Sequence, residues 1–165
     1  MLELDACCGY RHMWKNKNTS NVIFIDIKRE VKPTIVASAK HLPFRDKIFD
    51  KIYCDPPHII RSDTKNMKLG QTHSDFAKMY GSWKNRSEWI AFVGRTNIEF
   101  KRILKDNGIL WYKITSGGWQ NVDILDLNYM DNFKIIEKRI FPTKGKMIWK
   151  KSITYEVILK IKGKT

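Results

Sequence analysis

Hydrophobic positions fall in short runs separated by turns, with one long stretch at helical spacing. Leu2–Cys7, Asn21–Ile27, Thr34–Ala39, Phe49–Cys54 and Gly108–Ile114 read as strands, most of them rich in Ile, Val and aromatic residues. Phe133–Phe141 and Ser152–Ile161 supply two more. In the last of these, Ile153, Tyr155, Val157, Leu159 and Ile161 share one face, and Thr154, Glu156, Ile158 and Lys160 the other. That alternation suits an antiparallel strand with one buried face. From Asn85 to Lys105, a broad apolar stripe formed by Trp89, Ile90, Val93, Ile98, Phe100, Ile103 and Leu104 predicts an amphipathic helix. Ser87 is its expected cap and Asn107-Gly108 its expected stop. Asn121–Met130 reads as a weaker second helix. Arg61–Trp83 is polar, holds Gly70 and Gly81, and has no period. A connection of that length is a candidate lid or binding segment on the substrate side.

Strands separated by crossovers, one bearing a good helix, imply an α/β, doubly wound sheet with a mostly parallel core. The last two strands are joined by a link containing Pro142-Thr143-Lys144-Gly145-Lys146, which is hairpin-like and pairs them antiparallel. A chain of 165 residues fits one domain, residues 1–165, with a real core. At 42% hydrophobic and 12% aromatic it is too apolar for a disordered chain. No apolar run approaches the roughly 18–20 residues of a membrane span. The start, Met1-Leu2-Glu3-Leu4-Asp5, does not resemble a secretion or organelle signal. Three cysteines, Cys7, Cys8 and Cys54, are odd in number and two are adjacent, which argues against a disulfide scaffold and against a spaced zinc site. A cytoplasmic domain without a metal is the expectation.

Charge adds a partner. There are 31 Lys and Arg against 17 Asp and Glu, a formal net charge of +14. After Asn132, ten Lys/Arg face only Glu137 and Glu156. A polyanion such as nucleic acid is the natural complement of that imbalance.

Three features then fall in order along the chain. The first strand ends in Asp5-Ala6-Cys7-Cys8-Gly9, where small residues let the backbone approach a ligand at the carboxyl edge of the sheet. The three-glycine dinucleotide fingerprint is missing, so a pyrophosphate cradle is not expected. The second strand ends near Asp26, 21 residues after Asp5, where a carboxylate can accept from ribose hydroxyls. The fourth runs into Asp55-Pro56-Pro57-His58; two prolines fix the chain and withhold N–H groups, leaving carboxylate and carbonyl oxygens as acceptors.

Asp-Pro-Pro followed by a ring resembles the signature of amino-directed S-adenosylmethionine methyltransferases. More closely, Asp5-Ala6-Cys7-Cys8-Gly9, Leu42-Pro43-Phe44, Phe49-Asp50, Cys54-Asp55-Pro56-Pro57-His58, Tyr80-Gly81, Trp83 and Lys113 resemble the small single-domain enzymes common in phages and prophages. The resemblance spans nearly the whole chain. It implies the Rossmann-like class I methyltransferase fold, a mostly parallel seven-stranded sheet with a terminal antiparallel pair. It also implies roles. Asp5, Ala6, Cys7 and Gly9 would hold the methionine part of S-adenosylmethionine, Asp26 its ribose, and Ser38 would stand near the adenine, where the family often has an acid. Asp55 and the Pro56 carbonyl would accept from a target amine, with Pro57 and His58 completing the catalytic motif; His58 replaces the more usual Tyr, Phe or Trp. Lys113 on the fifth strand otherwise reads as solvated.

The implied reaction is N-methylation of an exocyclic amine, adenine N6 or cytosine N4, in DNA or RNA. Such an amine is a poor nucleophile because its lone pair is delocalised into the ring, so positioning and electrostatics carry the acceleration. The base must be flipped or single-stranded to enter a pocket. No Pro-Cys pair supports thiolate attack at cytosine C5. A protein glutamine amide is an alternative acceptor, and a non-catalytic nucleic-acid-binding subunit an alternative role. No segment is large enough for a dedicated target-recognition domain, so residues 61–83, the basic C-terminal end, a partner subunit or a second copy must supply specificity. Lys144, Lys146, Lys150 and Lys151 flank the final link and are the expected phosphate contacts. Replacing all four with Gln is expected to flatten the salt dependence of single-strand binding, whose slope is about −0.7 per phosphate neutralised. Affinities across a salt series check this; parallel lines for wild type and variant would reject it.

Overall fold

The structure, a computed structural model, describes residues 1–61, 81–117, 120–142 and 152–163. Eight strands form one sheet: β1 (Glu3–Asp5), β2 (Val22–Asp26), β3 (Ile35–Val36), β4 (Phe49–Cys54), β5 (Leu104–Gly117), β6 (Gln120–Asn121), β7 (Phe133–Pro142) and β8 (Ile153–Ile161). Their spatial order is β3-β2-β1-β4-β5-β8-β7, with β6 a short partner of β5. The pairs from β3 to β5 are parallel, and β8 runs antiparallel to both β5 and β7. The expected parallel core and terminal antiparallel pair are both present. The first three strands are shorter than their apolar runs suggest, because the flanking residues turn away into the loops that form the site.

Helical cover is thinner than a doubly wound sheet implies. Among the described residues, α1 (Arg86–Ile103) is the only α-helix. Its cap is Asn85, whose side chain accepts from the Glu88 amide at 2.9 Å, and not Ser87. Trp89, Phe92, Val93, Phe100 and Ile103 face the core, whereas Ile98 is 53% exposed, so Phe92 and not Ile98 belongs to the buried stripe. The helix stops at Ile103 because Leu104 is already extended and enters β5. Asn107-Gly108 follows within an irregularity of the β4–β5 pairing. A Cβ at Gly108 would sit 2.7 Å from Leu104 Cδ1, so the backbone passes too close there for a side chain. The weak second helix is a 3-10 segment, Ile124–Tyr129, opened by a capping box between Asp123 and Asp126.

The two sheet faces differ. On one, Leu4, Ile25, Ile52, Cys54, Leu110, Tyr112, Val157 and Leu159 are buried and form a single core with α1 and the 3-10 segment. On the other, a small cluster of Cys8, Val22, Phe24 and Val31 is closed by Trp14, which comes from the β1–β2 connection. Trp14 packs edge-on against Phe24 and Tyr53, covering ground where a crossover helix would otherwise lie. Among the described residues no helix is long and apolar enough to cross a membrane.

Asp126 pins α1 to the 3-10 segment. It is 3% exposed and accepts from Trp89 Nε1 at 2.7 Å, from the Asp123 amide at 2.9 Å, and from Arg86. Asp126→Ala leaves the buried indole N–H unpaired and is expected to cost about 2–3 kcal/mol. Asn85→Ala removes only a surface cap, about 1 kcal/mol. Urea unfolding of the two variants checks the ranking.

Candidate active site

β1 delivers Asp5 to the carboxyl edge of the sheet, where its side chain is 0% exposed. One oxygen accepts from Trp14 Nε1 at 2.7 Å and the other from the Cys7 amide at 3.4 Å. Burial pushes its pKa up to about 7; the two donors oppose that shift, and the nearby Asp55 and Asp26 charges add to it. Asp5 therefore lies beneath the cavity that follows and does not line it.

The lining begins with the turn after β1. Gly9 has φ +47°, a conformation that suits a residue without a Cβ, and its N–H donates to Asp26 Oδ2 at 2.9 Å. The Lys28 amide donates to Asp26 Oδ1 at 3.0 Å, and the Cys8 amide to the Ile25 carbonyl at 3.0 Å. Strand β2 thus holds the turn in place through a carboxylate that still has lone pairs to offer. Ser38 stands on the same wall, its hydroxyl accepting from the Lys40 amide at 3.3 Å.

β4 carries the chain into Asp55-Pro56-Pro57-His58 on the opposite wall. Lys113 Nζ donates to Asp55 Oδ2 at 2.7 Å, so the lysine read as solvated is paired with the motif carboxylate. His58 Nε2 lies 3.1 Å from the Lys113 carbonyl, which can only accept, so Nε2 carries the proton. Its distance to Asp55 Oδ1 is 3.6 Å. Burial lowers the His58 pKa, the Asp55 charge and the hydrogen bond to the Lys113 carbonyl oppose that, and the Lys113 charge adds to it. The Pro57 carbonyl accepts from Trp83 Nε1 at 2.7 Å, and Gly81 (φ +88°) passes so close that an added Cβ would lie 3.1 Å from Pro57 Cγ. The Pro56 carbonyl has no hydrogen-bond partner among the described residues.

These walls enclose one cavity of about 1050 Å³, and Ala6, Cys7, Gly9, Asp26, Ser38, Asp55, Pro56, Pro57 and His58 all border it. Lys113, Thr115, Trp83 and Phe92 border it too. Of these, Phe92 and Thr115 carry no local motif and were not legible in the sequence. Trp14 was missed as well; its only sequence signal is an aromatic residue inside an otherwise polar connection. The ends of the 61–83 segment meet at the cavity: the Trp83 amide donates to Ile59 and the Arg61 amide to Trp83. Residues 62–80, Trp119, Trp149 and the four lysines Lys144, Lys146, Lys150 and Lys151 lie outside the described residues. Cys7 and Cys8 are poor nucleophiles: the Cys7 thiol is pushed well up by its hydrogen bond to Cys54 and by burial, and burial pushes Cys8 up to about 12.

No protein-family profile and no curated protein sequence matches the chain. Solved structures do match in fold. The [4+2]-cyclase SpnF is 13% identical, with 98% of this chain aligned to 74% of that one at a TM-score of 0.61. TrmN from Thermus thermophilus is 14% identical, with 98% of this chain aligned to 44% of that one at 0.57. A TehB-like SAM-dependent methyltransferase from Corynebacterium glutamicum is 13% identical, with 97% of this chain aligned to 79% of that one at 0.51. The chain thus has a Rossmann-like methyltransferase fold. Because a cyclase shares it, fold alone does not decide the reaction.

Asp5 gives the site a pH signature. Its folded pKa is raised from 3.8 to about 7, so between those values the folded state holds a proton that the unfolded state has released. Stability from this group is therefore greatest at low pH and declines as pH rises from about 4 to about 7. Depressed groups such as Glu99, held down chiefly by the Arg102 hydrogen bond, and His58, held down by burial, pull the opposite way over parts of that range. The readout is therefore the difference between wild type and Asp5→Asn. In chemical denaturation, the wild type is expected to lose stability relative to Asp5→Asn across that window; a difference independent of pH would refute the assignment.

Proposed function

We propose that this chain is an S-adenosylmethionine-dependent methyltransferase acting on an exocyclic amine of a nucleic-acid base. The observation that carries the proposal is that Asp26, beside the Gly9 turn, and Asp55-Pro56-Pro57-His58 border one cavity of a chain whose net charge is +14. Hydrogen-bond acceptors within suit the hydroxyls of the cofactor and the N–H groups of an amine, and the basic molecule suits a polyanion without.

The residues present fit S-adenosylmethionine. Asp26 uses two of its roughly four lone-pair sites on the Gly9 and Lys28 amides, leaving the others for ribose hydroxyls. An added Cβ at Gly9 would meet nothing within 4 Å, so the turn is open to close approach. When bound, the cofactor supplies an electrophilic methyl group.

The opposite wall positions the acceptor. Asp55 and the Pro56 carbonyl are two acceptors suited to the two N–H groups of an exocyclic amine. Holding both aligns the nitrogen lone pair and favours a more tetrahedral nitrogen. Trp83 and Gly81 clamp Pro57, which keeps the two acceptors at fixed separation. Lys113 must release Asp55 Oδ2 to the amine. Its partner across the β5–β8 pairing is Glu156, so a second carboxylate stands on the same face to receive the ammonium. His58, kept neutral, adds no cation next to a nitrogen that becomes positive. Adenine N6 and cytosine N4 both satisfy this arrangement. The raised cysteine pKa values argue against C5 methylation through a thiolate.

Two substitutions separate binding from chemistry. Asp26→Ala is expected to weaken S-adenosylhomocysteine binding by about 1.5–3 kcal/mol, the scale of hydrogen bonds to a charged group. Asp55→Ala is expected to leave that affinity nearly unchanged and to slow methyl transfer on the order of 100-fold or more. Calorimetry and tritiated-methyl transfer to DNA, RNA and protein panels provide the readouts. Wild type that binds no cofactor at millimolar concentration, or Asp55→Ala at the wild-type rate, overturns the respective assignment.

A further inference from the structure

We propose that the open sheet face beside the active site is a track for single-stranded nucleic acid, with Trp111 as its stacking platform. This rests on the reading of the cavity as a site for a nucleic-acid base.

The tryptophans sort themselves by their indole N–H groups. Trp14 donates to Asp5, Trp83 to the Pro57 carbonyl and Trp89 to Asp126. A buried indole N–H ordinarily finds such a partner. Trp111 Nε1 has none among the described residues, and its side chain belongs to neither hydrophobic cluster. Its neighbours on β5, Leu110 and Tyr112, point to the other face and are 0% exposed, whereas Trp111 is only partly buried. Ile109 and Ile158, on the same face, also lie outside both clusters.

Register places this face in line with the chemistry. Tyr53, Trp111 and Ile158 form one row across β4, β5 and β8. Two residues further along β4 and β5 stand Asp55 and Lys113, the ion pair at the cavity wall. Two residues along a strand span about 6.6 Å, so a base stacked on Trp111 sits one row from the acceptors. The Tyr53 ring is already occupied, with Lys51 Nζ 4.4 Å above it and Trp14 against its edge, so it buttresses Trp111 and does not itself stack.

Charge selects the occupant. Lys51, Lys134 and Lys160 stand on this face with no ion pair among the described residues, whereas Lys113 and Arg139 are paired with Asp55 and Glu137. Of the acids on the face, Asp5 holds Trp14, Asp55 is paired with Lys113, Glu137 with Arg139 and Glu3 with the Tyr53 hydroxyl, leaving Glu156. An aromatic platform with spare cations along its strands is the recurring solution for binding single strands with little sequence preference. A duplex cannot offer its base faces in this way.

Fluorescence anisotropy with labelled single-stranded DNA, single-stranded RNA and duplex of one sequence tests the track. Trp111→Ala is expected to weaken single-strand binding about 5- to 150-fold, the range for losing one base–aromatic stack. Trp111→Phe is expected to restore most of it, and both variants to bind S-adenosylhomocysteine like wild type, which verifies the fold. The DNA and RNA arms identify the strand. Undiminished binding by Trp111→Ala, or no single-strand binding by wild type, overturns the track while leaving the cofactor assignment intact. So does a dimer that Trp111→Ala converts to monomer with strand binding unchanged, since the face would then serve self-association. Strand binding that depends on Trp111, without any methyl transfer, supports the track and refutes the enzymatic reading instead.

Discussion

A carboxylate at 0% exposure requires donors, and the hydrogen bond from Trp14 Nε1 to Asp5 meets that requirement. Much of the site follows from it. Asp5 is the last residue of β1, and the bond draws the β1–β2 connection back over the sheet edge. Trp14 then closes the Phe24 side of the sheet, and the turn at Ala6–Gly9 is held between strand and loop. Trp14 donates to one Asp5 oxygen and the Cys7 amide to the other, so the carboxylate ties the loop and the turn at one point. An asparagine there keeps only one of the two acceptors.

The unequal covering of the sheet is the second consequence. One face is closed by α1 and the 3-10 segment, with Ile52, Leu110 and Tyr112 all at 0% exposure. Among the described residues, the other has a hydrophobic cluster only near β1 and β2, where Trp14 reaches. Tying the loop to Asp5 covers the β1–β2 end, and among the described residues the β4–β5–β8 rows, with Ile109, Trp111 and Ile158, belong to neither hydrophobic cluster.

Near the acceptors, the interactions are graded by burial. The Asp55–Lys113 pair is 25% and 30% exposed, and a pair of that kind contributes about 0–1 kcal/mol. It is weak enough to exchange for another partner. The Pro57–Trp83 bond and the close pass of Gly81 are different: prolines have no rotatable φ, and the indole is packed against Trp89 and Phe92. The backbone is stiff and the side-chain pair is exchangeable.

By itself the sequence determined the strands β4, β7 and β8, the helix and the parallel-then-antiparallel order of the sheet. Those follow from local periodicity and from the length of the connections. It also marked the turn after β1, Asp26 and Asp55-Pro56-Pro57-His58, because small residues, a strand-end acid and paired prolines leave a local imprint. The cap at Asn85, the exposure of Ile98 and the pairing of Lys113 were decided only in three dimensions. Asn85 and Ser87 are equally good caps by type, and the helix's tilt against the sheet chooses between Phe92 and Ile98. Lys113 and Asp55 lie 58 residues apart and meet only because β4 and β5 are parallel neighbours. Trp14 and Trp111 show the limit most clearly. Each is a tryptophan within two residues of a lysine in sequence, yet one has a buried carboxylate to bond and the other, among the described residues, has none. Whether an indole becomes a pin or a surface depends on what the tertiary fold brings to its N–H.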